Sequence, residues 1–417
     1  MTMCVCTSYV LSWPKWLFFL FTIKFAYRSD LPTIMYLLNT IVFVSSVVVT
    51  SRTAKDYGPF LLSGSNLEWP SAAEESDDIR CGRYEPRKIL VHGVQMDGER
   101  AYVTMPRFAR TGVPWTLGSF RLDAMDFEPD ILPYPDYRSY GPSCRGGNVT
   151  AACILNVVDV YVDDGTLWAL DTGTAGVLGR RPSRMGPPRL IAIDLAADRV
   201  TAAVDLSPVI GPRSALQHLV ARRTSCGRLF VYVADAAGHA IIAYDVNASR
   251  LHAIPLPETV SAAHHRRVVL HLMAVSRAGK SYVYFTYRQS GTVFALDSWS
   301  RESVTHGSVV EVGAKPVDMI VLGTDRGTDV YFRAPDATDV WAWDVNRPLD
   351  VRSFRLVHRS YLYLMPTAVV AGWRNAVWTV ESNYDEYVTG NVDCTGPRTL
   401  LRPIGGNASA CGGQDQV

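Results

Sequence analysis

From about residue 88 onward the chain repeats one unit: an apolar strand, a turn carrying Gly or Asp, a second apolar strand, and a third that often ends in apolar-Ala-apolar-Asp. Such a repeat constrains the fold more than any single motif, because each unit buries its apolar face only against its neighbours. The first unit reads ILVHGVQ, MDGER, AYVTM and GSFRLDA, and the second NVVDVYV, DDGT, LWALDTG, RLIAIDL and VTAAVDL. The third reads ALQHLVA, RRTSCGR, LFVYVAD, AIIAYDV and RLHAIPL, and the fourth VVLHLMAVS, RAGK, SYVYFTY and TVFALDS. The fifth reads PVDMIVLG, TDRG, TDVYFRA, DVWAWDV and SFRLVHR, and the sixth PTAVVAG, WRN and AVWTVES.

Short β-branched and aromatic runs bounded by turn residues read as strands. Units of roughly 47 to 66 residues with three or four strands have the size of propeller blades. A sandwich would show similar strands, but not six copies of one strand–turn–strand unit. The expected fold is all-β, a six-bladed β-propeller over residues 88–404, with TLLRPI (399–404) helping to close the ring and so removing free sheet edges. Residues 55–87 form a lead-in and 405–417 a tail.

Residues 1–54 read differently. The run 8–27 is apolar but broken by Pro14, Lys15 and Lys24; a second, YLLNTIVFVSSVVV, starts after Met35 and ends before Thr50, Ser51, Arg52 and Thr53. The second has the length of a signal-peptide core followed by small residues suited to cleavage, and is short for a span of about 20 residues. The preferred reading is a secreted, extracellular chain with a true start at Met35. An uncleaved N-terminal segment acting as an anchor is the alternative, and the one route to a membrane. Cys4 and Cys6 fall in this N-terminal region; the other six cysteines, Cys81, Cys144, Cys153, Cys226, Cys394 and Cys411, form an even set with no C-x-x-C pair. That favours disulfides over zinc and leaves 15 pairings open. Sequons at Asn148, Asn247 and Asn407 agree with a secreted glycoprotein. The formal net charge is +1 and basic residues are scattered, which gives no electrostatic case for a nucleic-acid partner.

In a propeller the first strand of each blade lines the central channel. Aligning the turns sets His92, His218, His271 and Asp318 at similar first-strand positions, where neutral imidazoles could transfer protons near pH 7. The plain alternative is a set of buried or water-bridged histidines, since a one-residue register error turns the ring into the sheet packing. No metal site is expected, because three ligands would have to converge from distant blades without local spacing. Second-strand ends supply Arg107, Asp171, Asp235, Tyr287, Arg333, Glu381 and Asn383. A carboxylate there, with Tyr287, Phe294, Phe332 or Trp378 as ring partners, would suit an aromatic amine. The alternative is that the acids cap turns and the rings pack between blades. Glu381 and Asn383 stand slightly above the others, since a charged residue after an apolar strand has little structural need. RAGKS (277–281) lacks the preceding Gly of a phosphate loop, there is no G-x-S-x-G or H-E-x-x-H, and His264-His265-Arg266-Arg267 reads as a solvated loop.

Several stretches resemble the Yellow/major royal jelly protein family. They are AYVTMPRFARTGVPWTLGSF (with Tyr102, Pro106, Arg107, Gly112, Val113, Pro114, Thr116 and Leu117), LWALDTG, Cys226 leading into YVADAAGHAIIAYD, HLMAVS (271–276), VWTVESN (377–383) and NLEWP (66–70). They fall in the expected order over roughly residues 66–385. The resemblance implies a secreted six-bladed propeller of insect cuticle, saliva or glandular secretions. Its members are linked to melanin pigmentation and dopachrome conversion, to binding of biogenic amines, or to nutrition. One departure is the absence of the cysteine that members commonly carry before the LW-LD-G strand, where this chain has VDDGTLW; the pairing of Cys144 and Cys153 is thereby left open. No catalytic signature is shared across the family, so the likeness does not decide chemistry. Three functions follow: tautomerisation of an aminochrome such as dopachrome or dopaminechrome without a cofactor, binding of small aromatic catechol, indole or amine ligands, and a structural or nutritive role with no occupied site.

Overall fold

The lead-in supplies a strand that completes the last sheet. In the computed structural model, residues 58–141, 144, 150, 153–179, 181–224, 227–260, 268–297, 308–360 and 364–407 are described. The presequence, the Asn148 sequon, Cys226, His264–Arg267 and the tail beyond 407 lie outside the described residues. Strand β1 (Phe60–Ser63) is followed by an antiparallel meander of β2 (Gly93–Asp97), β3 (Arg100–Thr104), β4 (Leu117–Arg121) and the two-residue β5 (Leu132–Pro133). The next has β6 (Val157–Asp163) and β7 (Thr166–Asp171), then the small hairpin β8 (Thr174–Ala175) and β9 (Ser183–Arg184), then β10 (Arg189–Asp194) and β11 (Arg199–Asp205). A third sheet holds β12 (Leu216–Arg223), β13 (Leu229–Asp235), β14 (Ala240–Asp245) and β15 (Arg250–Pro255). A fourth holds β16 (Leu270–Arg277), β17 (Lys280–Tyr287), β18 (Thr292–Asp297) and β19 (Ser308–Ala314).

The remaining strands are β20 (Ile320–Thr324), β21 (Asp329–Arg333), β22 (Asp339–Asp344), β23 (Phe354–Arg359), β24 (Met365–Ala371), β25 (Ala376–Ser382) and β26 (Arg398–Asn407). They form one eight-stranded sheet in the order β23-β22-β21-β20-β24-β25-β26-β1. Its β20–β24 contact is parallel and only two residue pairs long, Gly323↔Val369 and Thr324↔Val370. The sheet is therefore two antiparallel meanders touching at their innermost strands. The first strands touch in the cyclic order β2, β6, β12, β16, β20, β24 and back to β2. The architecture is all-β and propeller-like, as the repeat predicts.

The turns explain why the repeat folds this way. Asp164 (φ 46°) with Gly165 (φ 71°), and Ala278 (φ 49°) with Gly279 (φ 74°), place both central residues of two tight hairpins at positive φ, the backbone whose twist matches its flanking strands. The second of these is RAGK, so its Gly-Lys-Ser belongs to a hairpin. Second strands sit inside their sheets and are buried along nearly their whole length: β13 (LFVYVAD) and β25 (AVWTVES) are buried at every residue. Rings such as Trp115, Trp343 and Trp378 fill the space between neighbouring sheets.

Two features go beyond the sequence reading. TLLRPI lies within β26 and pairs with β25, but the outer place in that sheet belongs to β1, paired Phe60↔Leu401 through Ser63↔Arg398. A disulfide joins Cys144 to Cys153 in the loop leading to β6. Among the described residues two helices accompany the sheets, α1 (Ala72–Arg80), capped by Ser71, and α2 (Tyr384–Thr389), after β25. Among the described residues, no helix is long and apolar enough to cross a membrane.

Candidate functional site

The first strands enclose an axial cavity of about 150 Å³. His92, Asp159, Gln217, His218 and His271 line one side; Val321, Leu322, Ala368 and Val369 line the other. His218 and His271, on adjacent first strands, stack with centroids 5.0 Å apart and planes at 27°. His218 Nδ1 lies 3.6 Å from Asp159 Oδ2. Asp159 is itself fixed, accepting the Leu219 and Val160 amides at 2.9 Å each. His92, just before β2, packs edge-on against Phe108 and beside Tyr384, with centroids at 5.5 and 5.4 Å. Arg326, also on the cavity lining, donates to Gln95 Oε1 at 2.6 Å and lies 5.1 Å from the centroid of the Tyr161 ring.

Burial dominates the electrostatics. It pulls the His92 imidazole down to about 4, with the nearby His218 adding to the effect and Asp159 opposing it. It holds His271 well below the ordinary range, helped by His218, Lys315 and Arg288. Both rings are thus neutral at physiological pH. His92 Nδ1 and His271 Nε2 are buried without a hydrogen-bond partner, a costly state that a ligand or water would relieve. The Lys315 ammonium, whose charge acts on His271, donates to the Tyr287 carbonyl at 2.9 Å, and burial lowers it to about 8 against the pull of Asp318. Among the described residues no cluster of three or more His, Cys, Asp or Glu is arranged to hold a metal ion.

The structure thus brings His92, His218 and His271 to one cavity and leaves Asp318 out: it is exposed and does not line the cavity. Alignment from the turn misplaces it because β20 starts only at Ile320. The second-strand residues do not converge on the channel either; their polar atoms hold the backbone together. Asp171 is fully buried and accepts the amides of Leu155, Asn156 and Gly173 at 2.8–3.0 Å, with the Arg189 guanidinium at 2.8 Å. Asp235 repeats the clasp one sheet on, accepting Ala215 and Gly238 amides at 2.8 and 2.9 Å. Arg107 donates to the carbonyls of Leu155, Val113 and Pro114, and Arg333 to those of Pro366, Ala334 and Pro335.

The buried Tyr287 hydroxyl donates to the Ala236 carbonyl at 3.0 Å. Asn383 bonds the Gly396 carbonyl and the Arg398 amide at 3.2 and 3.0 Å. Glu381, fully buried, receives His358 Nε2 and the Ser360 hydroxyl at 2.7 Å each. Burial pushes its carboxyl up, but those two hydrogen bonds together with the charges of His358 and Arg402 hold the group below its usual range. The Glu381–His358 pair joins β25 to β23 of the neighbouring meander. Its structural need, invisible in sequence, is a partner 23 residues away. The Asn247 side-chain Oδ1 accepts the Leu229 amide at 2.9 Å, and the residue is exposed.

Sequence reasoning missed Asp159, Gln217 and Arg326. The signal for Asp159 was present: an acid in the otherwise apolar first strand VVDVYV, at the place where three other units carry histidine.

A family model described as Major royal jelly protein matches residues 155–399. "Protein yellow" of Drosophila subobscura is 25% identical over 391 residues, covering 87% of this chain and 67% of that protein. "Protein yellow" of Drosophila erecta is 32% identical over 360 residues, covering 79% and 64%. The chain thus spans about two thirds of the length of these relatives. Among solved structures, a luciferin-regenerating enzyme aligns with TM-score 0.44 and 9% identity, covering 84% of this chain and 96% of that one. Regucalcin of Agrobacterium tumefaciens, a calcium-binding protein, aligns with TM-score 0.45 and 12% identity, covering 76% and 91%. These two likenesses are too distant to bear on chemistry.

Proposed function

Since the chain belongs to the major royal jelly protein family, we propose that it is a secreted, six-bladed Yellow-like propeller of cuticle pigmentation, with its chemistry in the axial channel. The cyclic contact of six first strands supports the blade count. The observation carrying the chemical reading is the stacked His218–His271 pair beside a fixed Asp159 on the wall of the axial cavity. Aminochrome tautomerisation removes a proton from carbon and returns one to a quinone oxygen, so the product is an isomer and no redox partner is needed. His218 takes the carbon-bound proton, Asp159 stabilises the imidazolium formed, and the same proton is delivered to oxygen. His92 and His271, held neutral by burial, offer ring nitrogens to the substrate's oxygens.

Size limits how the ligand sits. A cavity of about 150 Å³ takes a benzene-sized ring. A single catechol ring matches that volume, while a fused bicyclic aminochrome requires the channel to widen. Binding without turnover is the second reading, favoured by Asp159 as a carboxylate on the channel wall for an ammonium group. The experiment expresses the full chain through a secretory pathway and follows loss of dopachrome and dopaminechrome colour against a boiled control. Catalytic acceleration abolished in His218→Ala supports the tautomerase. No acceleration, with dopamine or serotonin bound stoichiometrically by calorimetry, overturns it in favour of the carrier.

A further inference from the structure

We propose that a second pocket, outside the channel, binds small aromatic carboxylates. It measures about 650 Å³ and lies between the loop after β3, the β8–β9 hairpin and α2; Phe108, Arg110, Leu178, Arg181 and Tyr387 form its walls. It is a depression open to solvent whose volume falls in the range of small-molecule sites.

The walls are tied in place from below. The Gly176 amide donates to the Arg107 carbonyl at 2.8 Å, and the Gly179 amide to Gly176 at 2.9 Å. The Tyr387 hydroxyl donates to the Lys88 carbonyl at 2.9 Å. Phe108 and Tyr387 sit with centroids 5.9 Å apart. Arg110 lies directly over Gly176, where a Cβ would come within 2.6 Å of its Cγ, and Gly176 has φ 72°. The glycine both allows the turn and gives the arginine stem a flat seat, which limits where the guanidinium can go.

Charge names the occupant. Arg107 next door is consumed by backbone carbonyls, but Arg110 and Arg181 form no ion pair with any acid among the described residues. The nearby acids of α2, Asp385 and Glu386, do not line the pocket, and the field of Asp385 acts on Arg333. Two guanidiniums beside two rings call for one planar apolar body with a carboxylate, because guanidinium recognises that group by paired hydrogen bonds. An ammonium ligand is repelled here. The site therefore has the opposite charge preference to the Asp159 wall of the channel and stands whether or not the channel catalyses anything.

The test uses a matched pair, indole-2-carboxylate and indole, titrated calorimetrically into the full chain at low and high salt. The carboxylate is expected to bind at least tenfold tighter, with the advantage shrinking as salt rises. In the double variant Arg110→Gln/Arg181→Gln its affinity falls to that of indole while indole binding stays put; in His218→Ala the preference persists. Equal affinity for the two probes, or a preference that survives the double variant, overturns the proposal.

Discussion

His218 and Asp159 meet across two adjacent first strands, Nδ1 to Oδ2 at 3.6 Å, and this is the one His–carboxylate pair within 4 Å among the described residues of the channel. Under the tautomerase reading this makes Asp159 a positioning residue that acts through His218. Asp159→Asn keeps the shape and removes the charge that favours the imidazolium. We expect turnover to drop at least tenfold with KM little changed, and the acid limb of the pH–rate profile to move. A variant that loses stability but keeps the wild-type profile would assign Asp159 a purely structural role, since it also holds the Leu219 amide.

The buried histidines make stability depend on pH. His92 has its folded value depressed to about 4 from 6.5, so between those values the unfolded chain binds a proton that the folded chain does not. Stability is full above about pH 6.5 and falls as pH drops toward 4. A shift of that size corresponds to roughly 3 kcal/mol. Urea melts from pH 7 to 4.5 should show a decline that is shallower in His92→Gln; an identical slope would show that the ring is solvated.

The repeat made most of the fold legible, because the strand signal is local: short apolar runs and Gly-bearing turns are both read within a few residues. What escaped was non-local. β1 is four residues, FLLS, too short to show alternation, and its place is fixed by a partner more than 300 residues away. The channel histidines were readable because equivalent places in repeated units share an environment. The roles of Asp171 and Glu381 were not, since a carboxylate at a strand end looks the same whether it faces a ligand or clasps an amide. Only burial and partners separate the two.

Glu381 supplies a direct check of that distinction. It joins two meanders through His358 and Ser360 and reaches neither cavity. Glu381→Ala leaves His358 and Ser360 without their acceptor, a loss on the order of 3 kcal/mol for a buried pair broken on one side. Since the carboxyl is held below its usual range, its stabilisation is present at neutral pH and lost as pH falls through the folded value. Denaturant melts should show the loss while calorimetry shows amine binding unchanged. Binding that disappears in a variant still folded by circular dichroism would return Glu381 to the list of ligand residues.

The closing strand β1 makes a stronger demand on stability. Phe60 is 1% exposed and its ring lies within 5.5–6.3 Å of Phe120, Trp378 and Trp373, so it packs across the seam between the last sheet and the first. Truncation leaves a cavity among three large rings that cannot all collapse into it. Phe60→Ala is expected to cost about 3–5 kcal/mol. Phe60→Leu, which keeps most of the volume, should cost under half of that. If β1 were only laid over an already closed ring, both variants would melt with the wild type. A large loss in Phe60→Ala with partial recovery in Phe60→Leu instead makes the pairing of β1 with β26 the closure that holds the last sheet to the first.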